Sequence, residues 1–107
     1  MGAFAEYITV HETAVLPVPD HVSFGEASCT EPLASVVKAD QEICHVTAGD
    51  TVVVYGLGPM GCLHVQVCRL LGAFVVGIDL QPERRRLAQK LGAVVVIDPG
   101  TDDPVTA

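Results

Sequence analysis

Cationic side chains are scarce in this sequence. Lysine and arginine together number 6 against 13 aspartate and glutamate, and the formal net charge is −7. That balance argues against a general nucleic-acid surface, which draws on basic residues to neutralise phosphates. Arg84-Arg85-Arg86 is the single basic run, and its helical setting is that of a solvated face. No apolar stretch approaches the ~18 residues that a membrane helix needs, and no signal peptide precedes the first expected strand. Cys29, Cys44, Cys62 and Cys68 show neither CxxC pairing nor zinc-ribbon spacing. Without a secretory context they read as reduced thiols of a cytoplasmic protein. Cys62 and Cys68 lie on different faces of one helix, which argues against a disulfide between them.

Apolar residues fill much of the space that charge leaves. They make up 50% of the 107 residues, and the mean hydropathy of +0.44 is high for one small domain or a piece of a larger one.

The most informative stretch runs from Thr51 to Asp79, TVVVYGLGPMGCLHVQVCRLLGAFVVGID. A β-branched run ends at Gly56, and glycines follow at Gly58 and Gly61 in a GxGxxG spacing. A helical segment comes next, then a second apolar run ending in Asp79. Each part meets a need of a pyrophosphate-linked cofactor. Gly56 suits a tight strand-to-helix turn that a Cβ would obstruct. Gly58 lets the backbone approach a pyrophosphate, and Gly61 lets the helix pack closely on the strand. Pro59 fits the first helical position, where no N–H donor is needed. The free amides of that first turn, which includes Met60, attract an anion with the help of the helix dipole. Asp79 is placed to accept hydrogen bonds from the adenosine ribose hydroxyls and to repel a 2′-phosphate. It therefore favours NAD over NADP, while Arg84 nearby could serve either cofactor.

Around this fingerprint the sequence predicts a strand over Ala5–Val10 and an extended segment through Leu16-Pro17-Val18-Pro19-Asp20. A short helix from Phe24 to about Cys29 should be capped by Ser23 and Glu26 as a capping box. Pro32 should open a second helix that ends near Cys44, and residues 47–50 should turn the chain into the Thr51 strand. Leu71-Gly72-Ala73 and Leu91-Gly92-Ala93 are echoes of one another. Each marks a glycine-capped helix followed at once by a buried strand, as in a βαβαβ unit. Helices are expected near Pro59–Leu71 and Pro82–Leu91, and Asp98 onward should be a frayed tail. His64 reads as a packed or surface imidazole in the helix after the glycine loop.

With its amino-terminal segment included, nearly the whole chain resembles the medium-chain, zinc-dependent alcohol dehydrogenase superfamily. Gly2-Ala3-Phe4-Ala5-Glu6-Tyr7, Leu16 to Asp20 and Glu26-Ala27 are similar to that family's catalytic-domain segments. Glu31-Pro32-Leu33-Ala34 is similar to a motif of its sorbitol and threonine dehydrogenase branch, and Gly49 to Gly61 with Asp79 to its cofactor fingerprint. The resemblance implies an α/β fold, with the βαβαβ half of a Rossmann domain in residues 47–107. Residues 1–46 would be the tail of a GroES-like catalytic domain. It implies hydride transfer between an alcohol or polyol and NAD at a catalytic zinc, with Glu31 at the edge of that metal site and Arg84 at the adenosine ribose. The family's zinc-binding cysteine and Gly-His-Glu motif have no counterpart in this sequence. Since a tetrahedral site wants three protein ligands, Glu31 alone would not retain zinc.

Two functions remain open at this point. One is a segment of a zinc-type NAD(P)-dependent dehydrogenase acting on a small alcohol. The other is a non-catalytic product that keeps a weak adenosine-diphosphate half-site. In either case Thr51–Tyr55 should be an uncharged sheet edge, with both crossover helices on one face of the sheet. Only the helix opened by Pro32 could then cover the other face, and self-association through the edge is expected.

Overall fold

Three β-branched runs pair as neighbours in one parallel sheet. In the computed structural model, which describes residues 4–106, these are β1 (Thr51–Tyr55), β2 (Phe74–Ile78) and β3 (Val95–Ile97). Their order is β1-β2-β3, with Val54 beside Gly77 and Gly77 beside Val96. Helix α3 (Pro59–Leu70) crosses from β1 to β2, and α4 (Pro82–Leu91) crosses from β2 to β3. Parallel strands require such crossovers, and apolar residues at alternate positions of each strand supply the face on which they pack. Val54, Val75, Val65, Cys68, Ala73 and Ala88 meet in one buried cluster under both helices.

The boundaries expected of this half agree with those observed to within a residue. Gly92 caps α4 in the left-handed conformation, φ 118°, and Gly72 adopts φ 86° just after α3. The repeated Leu-Gly-Ala is thus a repeated helix stop. Residues 98–106 form a series of turns rather than a frayed end. The backbone oxygen of Asp98 accepts from the amides of Thr101 and Asp102 at 3.1 and 2.8 Å.

The amino-terminal part departs further from expectation. Residues 5–10 form no strand, and all of them are exposed. A strand satisfies its backbone groups through a neighbour, and no described strand lies beside this one. Gly2 and Ala3, which begin the segment resembling a catalytic domain, lie outside the described residues. The chain's radius of gyration is 16.7 Å, against about 13 Å for a compact domain of this length. Helix α1 (Phe24–Ala27) carries the expected capping box: the Ser23 amide donates to Glu26 Oε2 at 2.8 Å, and the Glu26 amide to Ser23 Oγ at 3.2 Å.

Helix α2 (Thr30–Val37) starts two residues before Pro32 and widens into a π-helical segment, Lys38–Ile43. There the Cys44 amide donates to Ala39 O at 2.8 Å, five residues back. This helix does not cover the second sheet face; it packs on α3 instead. The contact places Asp40, only 5% exposed, beneath α3. Its Oδ1 lies 2.8 Å from His64 Nδ1, and its Oδ2 accepts from the Cys68 thiol at 3.4 Å. His64 is therefore neither simply packed nor simply solvated; it is half-buried and paired. The second sheet face leaves Val53, Tyr55, Phe74 and Val95 each about half exposed or more.

Leu57, 1% exposed, wedges its side chain against Gly77 of β2. Leu57→Ala should cost about 2–5 kcal/mol by emptying that contact, measured by urea unfolding against the unsubstituted chain.

Candidate functional site

The carboxyl ends of β1 and β2 meet the amino end of α3 at one edge of the sheet. Gly56 turns the chain out of β1 with φ 86°, in the left-handed region that a side chain strains. A methyl group on Gly61 would collide with the Gly56 carbonyl oxygen, so close packing of helix on loop depends on that glycine. A Cβ on Gly58 would instead point toward open space, with Arg84 Nη1 its nearest neighbour at 4.0 Å. Gly58 is the N-cap and Pro59 the first residue of α3. The amides of Met60 and Gly61 follow in the first turn, ahead of the bond from the Cys62 amide to Gly58 O at 2.9 Å. Free first-turn amides and the positive end of a helix dipole are the general features that attract an anion without a lysine.

Asp79 binds the loop to the second strand. Its Oδ2 accepts from the Leu57 amide at 2.7 Å, and its Oδ1 from the Gln81 amide at 2.7 Å. The residue is 8% exposed. Burial raises its pKa, but the amides of Gln81 and Leu57 and the charge of Arg84 more than offset that, so it lies below the ordinary 3.8. Two amides use two of the roughly four acceptor positions of a carboxylate, which leaves Asp79 with further acceptor capacity. Arg84 Nη1 stands 3.6 Å from Asp79 Oδ2 on a half-exposed side chain, an ion pair too long for a hydrogen bond. A cleft of about 360 Å³ opens here, lined by Tyr55, Gly56, Asp79, Gln81, Arg84 and Pro99 among others. That volume is within the range of small-ligand clefts. Of the expected residues, Gly56, Asp79 and Arg84 line the cleft; Gly58 lies beside Arg84 and Gly61 against Gly56, and Pro59 and Met60 stand between those glycines in the first turn of α3.

Glu31 is not among them. It is exposed in the first turn of α2. Among the described residues no three histidine, cysteine, aspartate or glutamate side chains come together to hold a metal. The donor set present does not fit a zinc ion by itself.

One participant escaped the sequence pattern. Arg85, expected on a solvated face with its neighbours, is only 17% exposed and pairs its Nη2 with Asp98 Oδ2 at 2.7 Å. The available signal was its place in the first turn of α4, where a cation opposes the helix dipole and needs a specific partner. The buried thiols are unreactive by position. Burial, then the Asp40 carboxylate, pushes Cys68 up to about 12, and burial raises Cys62 as well.

Fold and strand order together define a three-stranded parallel α/β unit, a βαβαβ half of a Rossmann arrangement. Known proteins make the family specific. Residues 59–107 match the family described as zinc-binding dehydrogenase. D-arabitol-phosphate dehydrogenase of Enterococcus avium is 38% identical over 104 residues, covering 95% of this chain and 30% of the relative. The crystal structure of 2R,3R-butanediol dehydrogenase from Bacillus subtilis aligns with a TM-score of 0.70 at 34% identity, over 82% of this chain and 25% of that one. A mycobacterial protein complexed with NADPH aligns with a TM-score of 0.70 at 31% identity, over 76% and 25%. The chain belongs to the medium-chain, zinc-dependent alcohol dehydrogenase superfamily. It spans about 30% of the length of the curated relatives it matches.

Two measurements check this chemistry. Iodoacetamide at neutral pH should label exposed Cys29 and Cys44 and spare Cys62 and Cys68 in the folded chain, by mass spectrometry. Because the folded pKa of Asp79 is depressed, its stabilisation is complete above the unfolded value near 3.8 and is lost as pH falls through the lower folded value. Asp79→Asn should flatten that acid limb of a pH–stability profile.

Proposed function

We propose that this chain supplies the adenosine and pyrophosphate seat of a zinc-type dehydrogenase, one that moves a hydride between an alcohol or polyol and a nicotinamide cofactor. The observation that carries the reading is Asp79, ionised at neutral pH and fastened to the glycine loop beside the amino end of α3. In this proposal the Met60 and Gly61 amides hold the pyrophosphate, and Asp79 accepts from the ribose hydroxyls. Arg84 steadies the ribose from the cleft's outer side. When bound, the cofactor supplies the hydride-accepting ring.

An ionised, half-enclosed carboxylate repels a 2′-phosphate, which favours NAD over NADP. The mycobacterial relative holds NADPH, so selectivity at this position has to be decided by the side chain present, and here that is Asp79. We assign residues 1–46 to the end of the catalytic domain, with Glu31 at the edge of its metal site, and residues 47–107 to the first half of the Rossmann domain. Catalysis then requires metal ligands beyond the described residues, and a chain acting alone would bind without turning over. This second reading is a non-catalytic chain that keeps the adenosine-diphosphate half-site.

No described helix is long and apolar enough to cross a membrane; the cytoplasmic setting we propose rests instead on the four free thiols. The free edge of β1, Thr51–Tyr55, carries no charge, and the second sheet face is apolar; both favour association between copies.

Calorimetric titration tests the central reading. ADP-ribose should bind about tenfold or more tightly than its 2′-phosphorylated form, and Asp79→Ser should erase the difference. Absence of heat with ADP-ribose at millimolar concentration would refute the cofactor seat. In sedimentation velocity the chain should run as species heavier than one copy, and a single monomeric boundary would contradict self-association.

A further inference from the structure

Arg85 occupies an electrostatically unfavourable position. It is the fourth residue of α4, where the helix dipole presents its positive end. An exposed arginine there would swing outward into water. This side chain instead turns back under the strand ends and is largely enclosed. Its Nη1 donates to the backbone oxygen of Asp79 at 2.6 Å and to that of Leu80 at 2.9 Å. Its Nη2 reaches Asp98 Oδ2 at 2.7 Å. One guanidinium thus spans the carboxyl end of β2 and the residue that follows β3.

Asp98 is itself held in place. Its Oδ1 accepts from the Gly100 amide at 3.0 Å, and its backbone oxygen takes the Thr101 and Asp102 amides. Asp79 uses the same device, with its Oδ1 accepting from the amide two residues on. The two aspartates end matching repeats of the sequence. Only the first faces the cleft, and the second anchors the arginine that braces the first.

The consequence falls on the bend at residues 79–81. Asp79 can present free acceptor positions only while the Gln81 and Leu57 amides point at its carboxylate. The Gln81 amide shares a planar trans peptide with the Leu80 carbonyl, so it keeps its direction while Arg85 holds that carbonyl the other way, and the bond to the Asp79 carbonyl fixes the peptide before it. A planar fork with donors in fixed directions can bind both carbonyls and a carboxylate at once; a lysine ammonium cannot match that geometry.

We infer that Arg85, anchored by Asp98, is a positioning residue that sets Asp79 for recognition of the ribose hydroxyls. The inference rests on the cofactor seat proposed above. Arg84 touches the cleft and Arg85 does not, so adjacent arginines divide between contact and support.

The test compares ADP with 2′,3′-dideoxy-ADP, which lacks the hydroxyls, by calorimetric titration of the whole chain. Arg85→Met should weaken ADP about tenfold, the scale of a lost hydrogen bond to a charged group, and change dideoxy-ADP less than about twofold. Asp98→Asn should weaken ADP selectively by about threefold, and Arg85→Lys should fall between the two. Equal weakening of both nucleotides, or no weakening of ADP, would overturn the positioning role. Circular dichroism checks folding; if Arg85→Met does not fold, Arg85→Lys and Asp98→Asn carry the same ligand-selective expectation. If the unsubstituted chain binds no ADP, the cofactor seat and this inference fall together. If it binds ADP but the variants lose both nucleotides alike, only the inference falls.

Discussion

The carboxylate of Asp79 is the knot on which the site depends. It sits at the end of one strand and accepts the Leu57 amide from the loop leaving the next strand. Without that bond, Leu57 N–H would be buried with no partner, at a cost comparable to a lost hydrogen bond. The same carboxylate takes the Gln81 amide and so bends the chain toward α4. One side chain thereby fixes the glycine loop, the strand end and the start of the next helix. In the proposed cofactor seat its remaining acceptor positions would meet the ribose, so structure and recognition would draw on the same two oxygens.

Sheet polarity explains why these groups collect at one edge. In a parallel sheet every strand ends on the same side, and each crossover helix begins there with its amides free. The apolar core under α3 and α4 holds that arrangement rigid, with Val65, Val75 and Cys68 fully buried between sheet and helix. Small residues then bring the parts close. Gly61 allows α3 to press on the loop, and Gly77 leaves room for Leu57.

Much of this was legible in the sequence because its signals are local. A β-branched run, a glycine spacing and a proline at a helix start each act within a few residues, and together they located β1, α3 and the loop beside the cleft, whose lining includes Gly56, Asp79 and Arg84 of the expected residues. The repeated Leu-Gly-Ala marked the helix stops for the same reason. What the sequence concealed was long-range. The strand expected over residues 5–10 had the right composition and found no partner among the described residues, because pairing is set by neighbours rather than propensity. In the sequence Arg85 reads like Arg84 and Arg86, as surface charge. Its role depends on Asp98, thirteen positions away, and on backbone carbonyls that leave no trace in residue type. Asp40 and His64, 24 apart, were hidden for the same reason.

Asp40 also accounts for the placement that the sequence did not predict. Covering the second sheet face with α2 would have set a carboxylate against Val53, Phe74 and Val95, where nothing could compensate its desolvation. Packed on α3, the same carboxylate finds an imidazole and a thiol, and among the described residues no buried side-chain nitrogen or oxygen is left without a partner. Asp40 is the buried residue of the π-helical segment Lys38–Ile43. The same helix also buries Val36 completely, so an apolar contact and a partnered polar group act together, and the sheet's second face stays open.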